Sequence, residues 1–197
     1  MRLVLATTNP GKIREIHHVL DGAGFDLRTL GDYPRIAEPE ETGATFFDNA
    51  RLKARYYAAH TGELTVAEDS GLVIDGLDGE PGVNSARYLR ADATYSERFA
   101  HIFRELETRG RRGSAAQFVC ALVLARDGRI LFEAEGRVEG RIATEARGTN
   151  GFGYDPIFYY PPYGRTLAEV DNDRKLAVAH RGHAFRQLRE FLTHYAV

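Results

Sequence analysis

The sequence predicts an α/β protein built on a mixed β-sheet flanked by helices. Two observations carry that reading. Strand-like and helix-like segments alternate through the first half of the chain, and a hairpin signal, Asp127-Gly128 between two apolar runs, comes late. Alternation favours parallel strands joined by helices, while the hairpin adds antiparallel ones.

The first strand is the apolar run Leu3 to Ala6, followed by the turn Thr7-Thr8-Asn9-Pro10-Gly11-Lys12. Ile13, Ile16 and Leu20 then recur at helical spacing, and Gly22 and Gly24 end that helix. Phe25 to Leu30 reads as a second strand, and a polar loop with Glu38, Glu40 and Glu41 follows. The clearest helix spans Thr45 to His60: Thr45 and Asp48 form a capping-box signal, and Phe46, Phe47, Ala50, Ala54, Tyr57 and Ala58 give an apolar stripe. Asn49, Lys53 and Tyr56 share another face. Leu64 to Ala67 is a third strand, ending in Glu68-Asp69-Ser70-Gly71. After a glycine-rich loop from Gly76 to Ser85, a helix from Tyr95 to Thr108 carries Phe99, Ile102, Phe103 and Leu106 on one side. Ala116 to Ala125 and Ile130 to Val138 are the hairpin strands. A long loop runs from Arg147 to Pro156, and a C-terminal helix carries Phe185, Leu188, Phe191 and Leu192.

The chain of 197 residues suits one large domain or two tightly joined lobes, with 43% hydrophobic and 27% charged residues. It holds no run of 18 apolar residues, so no membrane partner is expected. The N-terminal residues lead straight into a strand without the pattern of a secretory signal, which predicts a cytoplasmic protein. The single cysteine, Cys120, lies in the apolar run Phe118 to Leu124 and reads as a small buried hydrophobe. Net charge is −2 without blocks of like charge, so no nucleic-acid polymer is expected as a partner. Small phosphorylated ligands need only a few local cations.

Four segments hold polar groups where α/β proteins place their sites, in loops after strands. Thr7 to Lys12 forms a strand-to-helix turn whose hydroxyls, backbone N–H groups and lysine suit phosphate, though it is no Walker A loop. Glu68-Asp69-Ser70-Gly71 at a strand end, with Glu38, Glu40 and Glu41 on the earlier loop, clusters carboxylates suited to a hard cation such as Mg²⁺. Asp69 can hold the metal, activate the attacking water, or do both. Glu38 reads as solvated. Lys53 becomes a site residue if its helix packs beside the first turn. The fourth segment runs from Gly148 to Arg181: glycines around Phe152 and Tyr154 can receive a flat base, and Lys175, His180 and Arg181 add donors that suit a 6-oxo purine.

Six ordered blocks then resemble the inosine triphosphate pyrophosphatase family, the Ham1-like pyrophosphatases of non-canonical purine nucleoside triphosphates. They are Ala6 to Lys12; Glu40-Glu41-Thr42-Gly43 with Phe47 to Ala50 and Lys53-Ala54; Glu68 to Leu72; Pro81 to Tyr88; Gly151 to Phe158; and His180-Arg181-Gly182. The resemblance implies an elongated mixed sheet forming two lobes around a central substrate cleft, a single pyrophosphatase domain over 1–197, and a homodimer. It implies cleavage of dITP, ITP and XTP between the α- and β-phosphates with Mg²⁺. Thr7, Thr8, Asn9, Pro10, Gly11, Lys12 and Lys53 would bind the triphosphate, and Ser70 would contact substrate beside the catalytic Asp69. Asp69 and either Glu40 or Glu41 would hold the metal. Phe152, Gly153, Tyr154 and Asp155 would enclose base and sugar, and Lys175, His180 and Arg181 would complete purine recognition.

Two departures stand out. Ala179 replaces the serine usual before the His-Arg pair, and Pro10 removes one backbone N–H from the phosphate turn. The rival readings are a Maf-like pyrophosphatase, a non-catalytic nucleotide-binding regulator and a scaffold. The joint presence of Lys12, Lys53, Glu40, Glu41 and Asp69 speaks against the last two.

Overall fold

Residues 1–195 are described by a computed structural model of the chain. The elements are β1 (Arg2–Leu5), α1 (Pro10–Leu20), β2 (Asp26–Thr29), α2 (Phe46–Thr61), β3 (Thr65–Ile74), α3 (Tyr95–Thr108), β4 (Ala115–Arg126), β5 (Arg129–Ile142), β6 (Phe158–Tyr160), β7 (Arg165–Thr166), α4 (Asn172–Val178) and α5 (His180–Tyr195), joined by loops and short 3₁₀ turns. Among the described residues one sheet has the order β2-β1-β3-β4-β5-β6-β7. It is mixed: β1 runs parallel to β2 and β3, while β6 is antiparallel to β5 and β7. The expected α/β class with flanking helices holds.

The chain divides into two compact units. The first comprises residues 1–69, 120–136 and those from 180 onward; the second comprises 70–119 and 137–179. Their cores differ in kind. That of the first unit is rich in alanine: Ala50, Ala54 and Ala58 on α2 meet Ala6, Ala67, Ala121 and Ala125 from the ends and middles of strands, with Tyr57 and Val123 filling between. Small side chains on both surfaces let helix and sheet approach closely. The second unit packs larger groups, among them Leu72, Ile74, Phe99, Ile102, Leu106, Phe118, Tyr154, Ile157 and Phe158. Its Phe118 and Phe158 rings lie 4.5 Å apart.

Local chemistry sets most boundaries. Asn9 caps α1, its Oδ1 accepting from the N–H groups of Gly11 (2.9 Å) and Lys12 (3.2 Å). Pro10 takes the first helical position, where a backbone N–H has no intrahelical partner in any case. Thr45 caps α2, accepting from the N–H of Asp48 at 3.1 Å, and Gly62 ends the helix with φ of 67°. Asp127 and Gly128 both have positive φ, 50° and 74°, as a type I′ turn requires.

Three expectations need correction. β3 does not stop at Ala67 but continues to Ile74, because Leu72 and Ile74 are buried and Glu68 and Asp69 find charged partners within the fold. β5 extends past Val138 to Ile142, through Gly140, whose missing Cβ would lie 2.5 Å from the carbonyl oxygen of Tyr159 on the neighbouring β6. The C-terminal helix is preceded by a separate short helix, α4, capped by Asp171, whose side chain accepts from the N–H of Arg174 at 2.8 Å.

Helix α5 begins against β5 at Gly136, where a Cβ would sit 2.0 Å from the carbonyl oxygen of His180 and 2.7 Å from the N of Ala184. Both neighbours are backbone and cannot swing away. Gly136→Ala should therefore cost stability near the upper end of the overpacking range, about 3 kcal/mol. Gly31→Ala, where the nearest atom is Thr29 Oγ1 at 3.5 Å, should stay within about 0.5 kcal/mol. Urea denaturation of both variants checks this; equal midpoints would remove the close-approach argument.

Candidate active site

The first unit gathers most of the sequence-predicted polar residues. β1 delivers the chain into the turn Thr7 to Asn9, where Thr7 Oγ1 accepts from the N–H of Asn9 at 3.2 Å. The turn opens directly into the N-terminus of α1, whose unsatisfied N–H groups and dipole favour an anion. Thr8, Asn9 and Pro10 are exposed, Gly11 is buried, and Lys12 reaches back to place its Nζ 2.8 Å from Glu68 Oε1.

Consecutive side chains on a strand point to opposite faces, so Glu68 and Asp69 look different ways from β3. Asp69 meets α2. Its Oδ1 accepts from Lys53 Nζ at 2.9 Å and its Oδ2 from Asn49 Nδ2 at 3.3 Å. Lys53 also donates to Glu41 Oε1 at 2.5 Å. Asn49, fully buried, accepts on Oδ1 from the N–H of Gly43 at 2.8 Å, which ties the loop bearing Glu41 to the helix bearing Lys53. A Cβ on Gly43 would lie 2.6 Å from that Asn49 oxygen, so glycine permits the contact. Glu40 is exposed and Glu41 half-buried, so Glu41 is the member of the pair that joins Asp69 around Lys53.

Glu68 meets α1 and α5. Besides Lys12 it accepts from Arg181 Nε and Nη2, both at 3.3 Å, and from the thiol of Cys120 at 3.4 Å. Arg181 in turn donates from Nη1 to Glu15 Oε2 at 2.5 Å. All of Glu15, Glu68, Cys120 and Arg181 are buried.

The charges follow from these contacts. Burial alone would raise the Glu68 carboxyl, but Arg181 and Lys12 outweigh it and hold the group well below the usual carboxylate range. Asp69 goes the other way: burial pushes it up, and Lys53 only partly opposes that while Glu41 adds to it. Lys53 would lose affinity for its proton through burial, yet Asp69 and Glu41 raise it instead. Burial and the neighbouring Glu68 put the Cys120 thiol far above its ordinary value, so it stays a neutral donor.

The second unit holds the aromatic loop. Asp155 is buried and accepts from the N–H of Phe152 at 2.8 Å and from Lys175 Nζ. The same ammonium lies 4.8 Å from the Phe152 ring centroid, a cation–π arrangement. Gly151, with φ of 71°, passes so close to Asp155 that a Cβ would fall 2.2 Å from its Oδ2. Tyr154 is buried, donates to the carbonyl of Ser85 at 2.9 Å and meets Tyr95 edge-on. Gly153 follows Phe152, with φ of 66°. Ser70 is half-buried on β3.

Thr7 to Lys12, Glu41, Lys53 and Asp69 thus share one unit, and Phe152 to Asp155 and Lys175 share the other. The expected trio of Lys175, His180 and Arg181 is divided between them. His180 and Arg181 are buried at the start of α5, and the Arg181 guanidinium donates to Glu68 and Glu15. Sequence reasoning missed Glu15; it placed Glu68 among the carboxylates of a metal-binding segment and Asn49 beside Lys53, without assigning either a contact. Glu15 carried a signal: it is a charge next to Ile16 on the buried stripe of α1. Among the described residues, no group of three or more His, Cys, Asp or Glu side chains could hold a metal. Two carboxylates around Lys53 do match Mg²⁺, which takes one or two carboxylates plus phosphate oxygens and water.

Comparison with known proteins gives one consistent picture. The model of the Ham1 family matches residues 3–191. The dITP/XTP pyrophosphatase of Exiguobacterium sp. is 44% identical over 188 residues, covering 95% of each chain. That of Geobacter sulfurreducens is 44% identical over 191 residues, covering 97% of this chain and 96% of the relative. Among solved structures, a HAM1 protein from Coxiella burnetii superposes with a TM-score of 0.90 at 41% identity, covering 98% of this chain and 99% of that one. The Staphylococcus aureus Ham1 protein gives 0.87 at 33% identity, covering 99% and 100%.

The lowered carboxyl of Glu68 has a consequence for acid stability. A carboxylate held below its unfolded value contributes stability in full above that value, here near 4.5, and loses it as pH falls through the folded value. Removing one partner of a buried pair costs about 3–5 kcal/mol. Glu68→Gln should therefore lose stability of that order at pH 7, and the difference from the parent should narrow below pH 4.5. Urea titrations at pH 7 and below pH 4.5 measure it; a gap independent of pH would show that Glu68 is not ionised in the native state.

Proposed function

The chain belongs to the Ham1 family, and from that premise we propose that it hydrolyses non-canonical purine nucleoside triphosphates (dITP, ITP and XTP) to the monophosphate and pyrophosphate, removing deaminated purines from the nucleotide pool. The observation that carries the reading is the Lys53 ammonium set between Asp69 and Glu41, on the unit that also bears the helix-opening turn ending in Lys12.

In this reading the turn from Thr7 to Lys12 receives the triphosphate through backbone N–H groups, the α1 dipole and the Lys12 ammonium. Asp69 takes a proton from the attacking water. Its raised affinity for a proton, caused by burial, makes it a better base than an exposed aspartate, and Lys53 keeps it ionised for that role. Water oxygen then bonds to phosphorus as the α–β anhydride bond breaks, and pyrophosphate leaves with the electron pair. Asn49 holds the second Asp69 oxygen. Asp69 and Glu41 would hold Mg²⁺, which supplies positive charge to the phosphate oxygens when bound. The Phe152 to Asp155 loop offers a ring and a buried cation to a base. The single pyrophosphatase domain over 1–197, the homodimer and the cytoplasmic location belong to the same proposal and rest on the resemblance.

Pyrophosphate release from dITP, ITP, XTP, GTP and ATP, with Mg²⁺ and then with EDTA, tests the reading. Metal-dependent release favouring the first three is expected; equal release from all five, or none, overturns it. Asp69→Asn should lower kcat by about 10²–10⁴-fold, the range of a general base, in a variant whose circular dichroism shows it folded at the assay temperature. Parent-like turnover by that variant would remove Asp69 from its role.

A further inference from the structure

Glu68 stands outside the residues given a task so far, yet it is the most enclosed charge beside the phosphate turn. Its side chain is 1% exposed, against 18% for that of Lys12. The ammonium is thus the more exposed member of the pair and the carboxylate the enclosed one. Lys12, Glu68, Arg181 and Glu15 form a chain of ion pairs in that order: Lys12 and Glu15 are one turn apart on α1, Glu68 is on β3 and Arg181 on α5. Two cations and two anions leave the chain of pairs neutral.

Distances separate a positioning role from that of a mere counter-ion. Arg181 lies closer to Glu15, at 2.5 Å, than to Glu68, at 3.3 Å. Of the donors that meet Glu68, Lys12 stands nearest, at 2.8 Å. The Cys120 thiol fixes the other carboxylate oxygen, so the group cannot rotate away from Lys12 without losing a donor. A lysine carries several rotatable bonds, and ordering it on binding is costly in entropy. We propose that Glu68 is a positioning residue that pre-orders the Lys12 ammonium at the mouth of the α1 turn, so that a triphosphate meets a cation already in place. This rests on the functional reading above, in which Lys12 contacts the triphosphate.

A double-mutant cycle between Glu68→Gln and Lys12→Met tests it, read twice: as KM and kcat for dITP, and as the affinity for inorganic tripolyphosphate by calorimetry. Glu68→Gln alone should raise KM and weaken tripolyphosphate about tenfold, with a smaller change in kcat. In the Lys12→Met background the same change should cost less than about twofold, because the residue through which Glu68 acts is gone. Equal losses in both backgrounds, or no loss in the parent, overturn the proposal. Should Glu68→Gln not fold, Glu68→Asp carries the cycle: it keeps the charge but shortens the reach, and the same non-additivity is expected. The two failures are distinguishable. A parent that cleaves none of the nucleotides sinks the functional reading while the tripolyphosphate cycle still judges Glu68, and active parent with additive losses sinks the positioning role alone.

Discussion

The pleat of β3 at Glu68 and Asp69 is the constraint on which the first unit depends. Two adjacent carboxylates cannot share an environment on a strand, because the backbone sends them to opposite faces. Each face then needs its own cations, and the fold supplies them from different helices: Lys53 on α2 for Asp69, Lys12 on α1 and Arg181 on α5 for Glu68. The two carboxyls end with shifts of opposite sign. Glu68 has the stronger set of donors and stays ionised; Asp69 is buried beside Glu41 and keeps an appetite for a proton. One residue step along the strand separates a carboxyl held well below its usual range from one raised above it.

Such pairing requires helices that come close, and the packing allows it. α2 presents Ala50, Ala54 and Ala58 to strands that answer with Ala6, Ala67, Ala121 and Ala125. Larger residues there would lift α2 and draw Asn49 and Lys53 away from Asp69. Gly136 does the same for α5, letting the helix that begins at His180 rest on β5 so that Arg181 reaches Glu68. The small residues of the core and the charges of the site are therefore one design, since the first sets the separation at which the second can meet.

This explains what could be read in the sequence. The alternation of elements, the Asn9 to Lys12 helix start, the Thr45 cap and the Asp127-Gly128 turn follow from local chemistry, and each stands as expected. The burial of Glu68 was hidden for a physical reason. A run Glu-Asp-Ser-Gly has the composition of a turn, and only cations 56 and 113 positions away, Lys12 and Arg181, make a buried strand of it. Asn49 was visible as a neighbour of Lys53 on one helix face, but its link to Gly43 depends on how the preceding loop returns. Arg181 drew attention as a donor beside His180, and the sequence carried no sign that Glu15 and Glu68 would take up its guanidinium.

The balance of charge adds a last step. Glu15, Glu41, Glu68 and Asp69 are four carboxylates; Lys12, Lys53 and Arg181 are three cations, so the two groups of ion pairs together carry one net negative charge when all are ionised. A nucleoside triphosphate brings several more negative charges to the same place. Lysines already engaged with carboxylates cannot neutralise it in full, and a partly buried setting screens the repulsion poorly. For the proposed triphosphate the arrangement is thus short of positive charge, and a divalent cation held on Asp69 and Glu41 would offset part of the shortfall. In that reading metal and triphosphate are thermodynamically coupled: each lowers the electrostatic cost of the other, and neither is expected to bind as well alone.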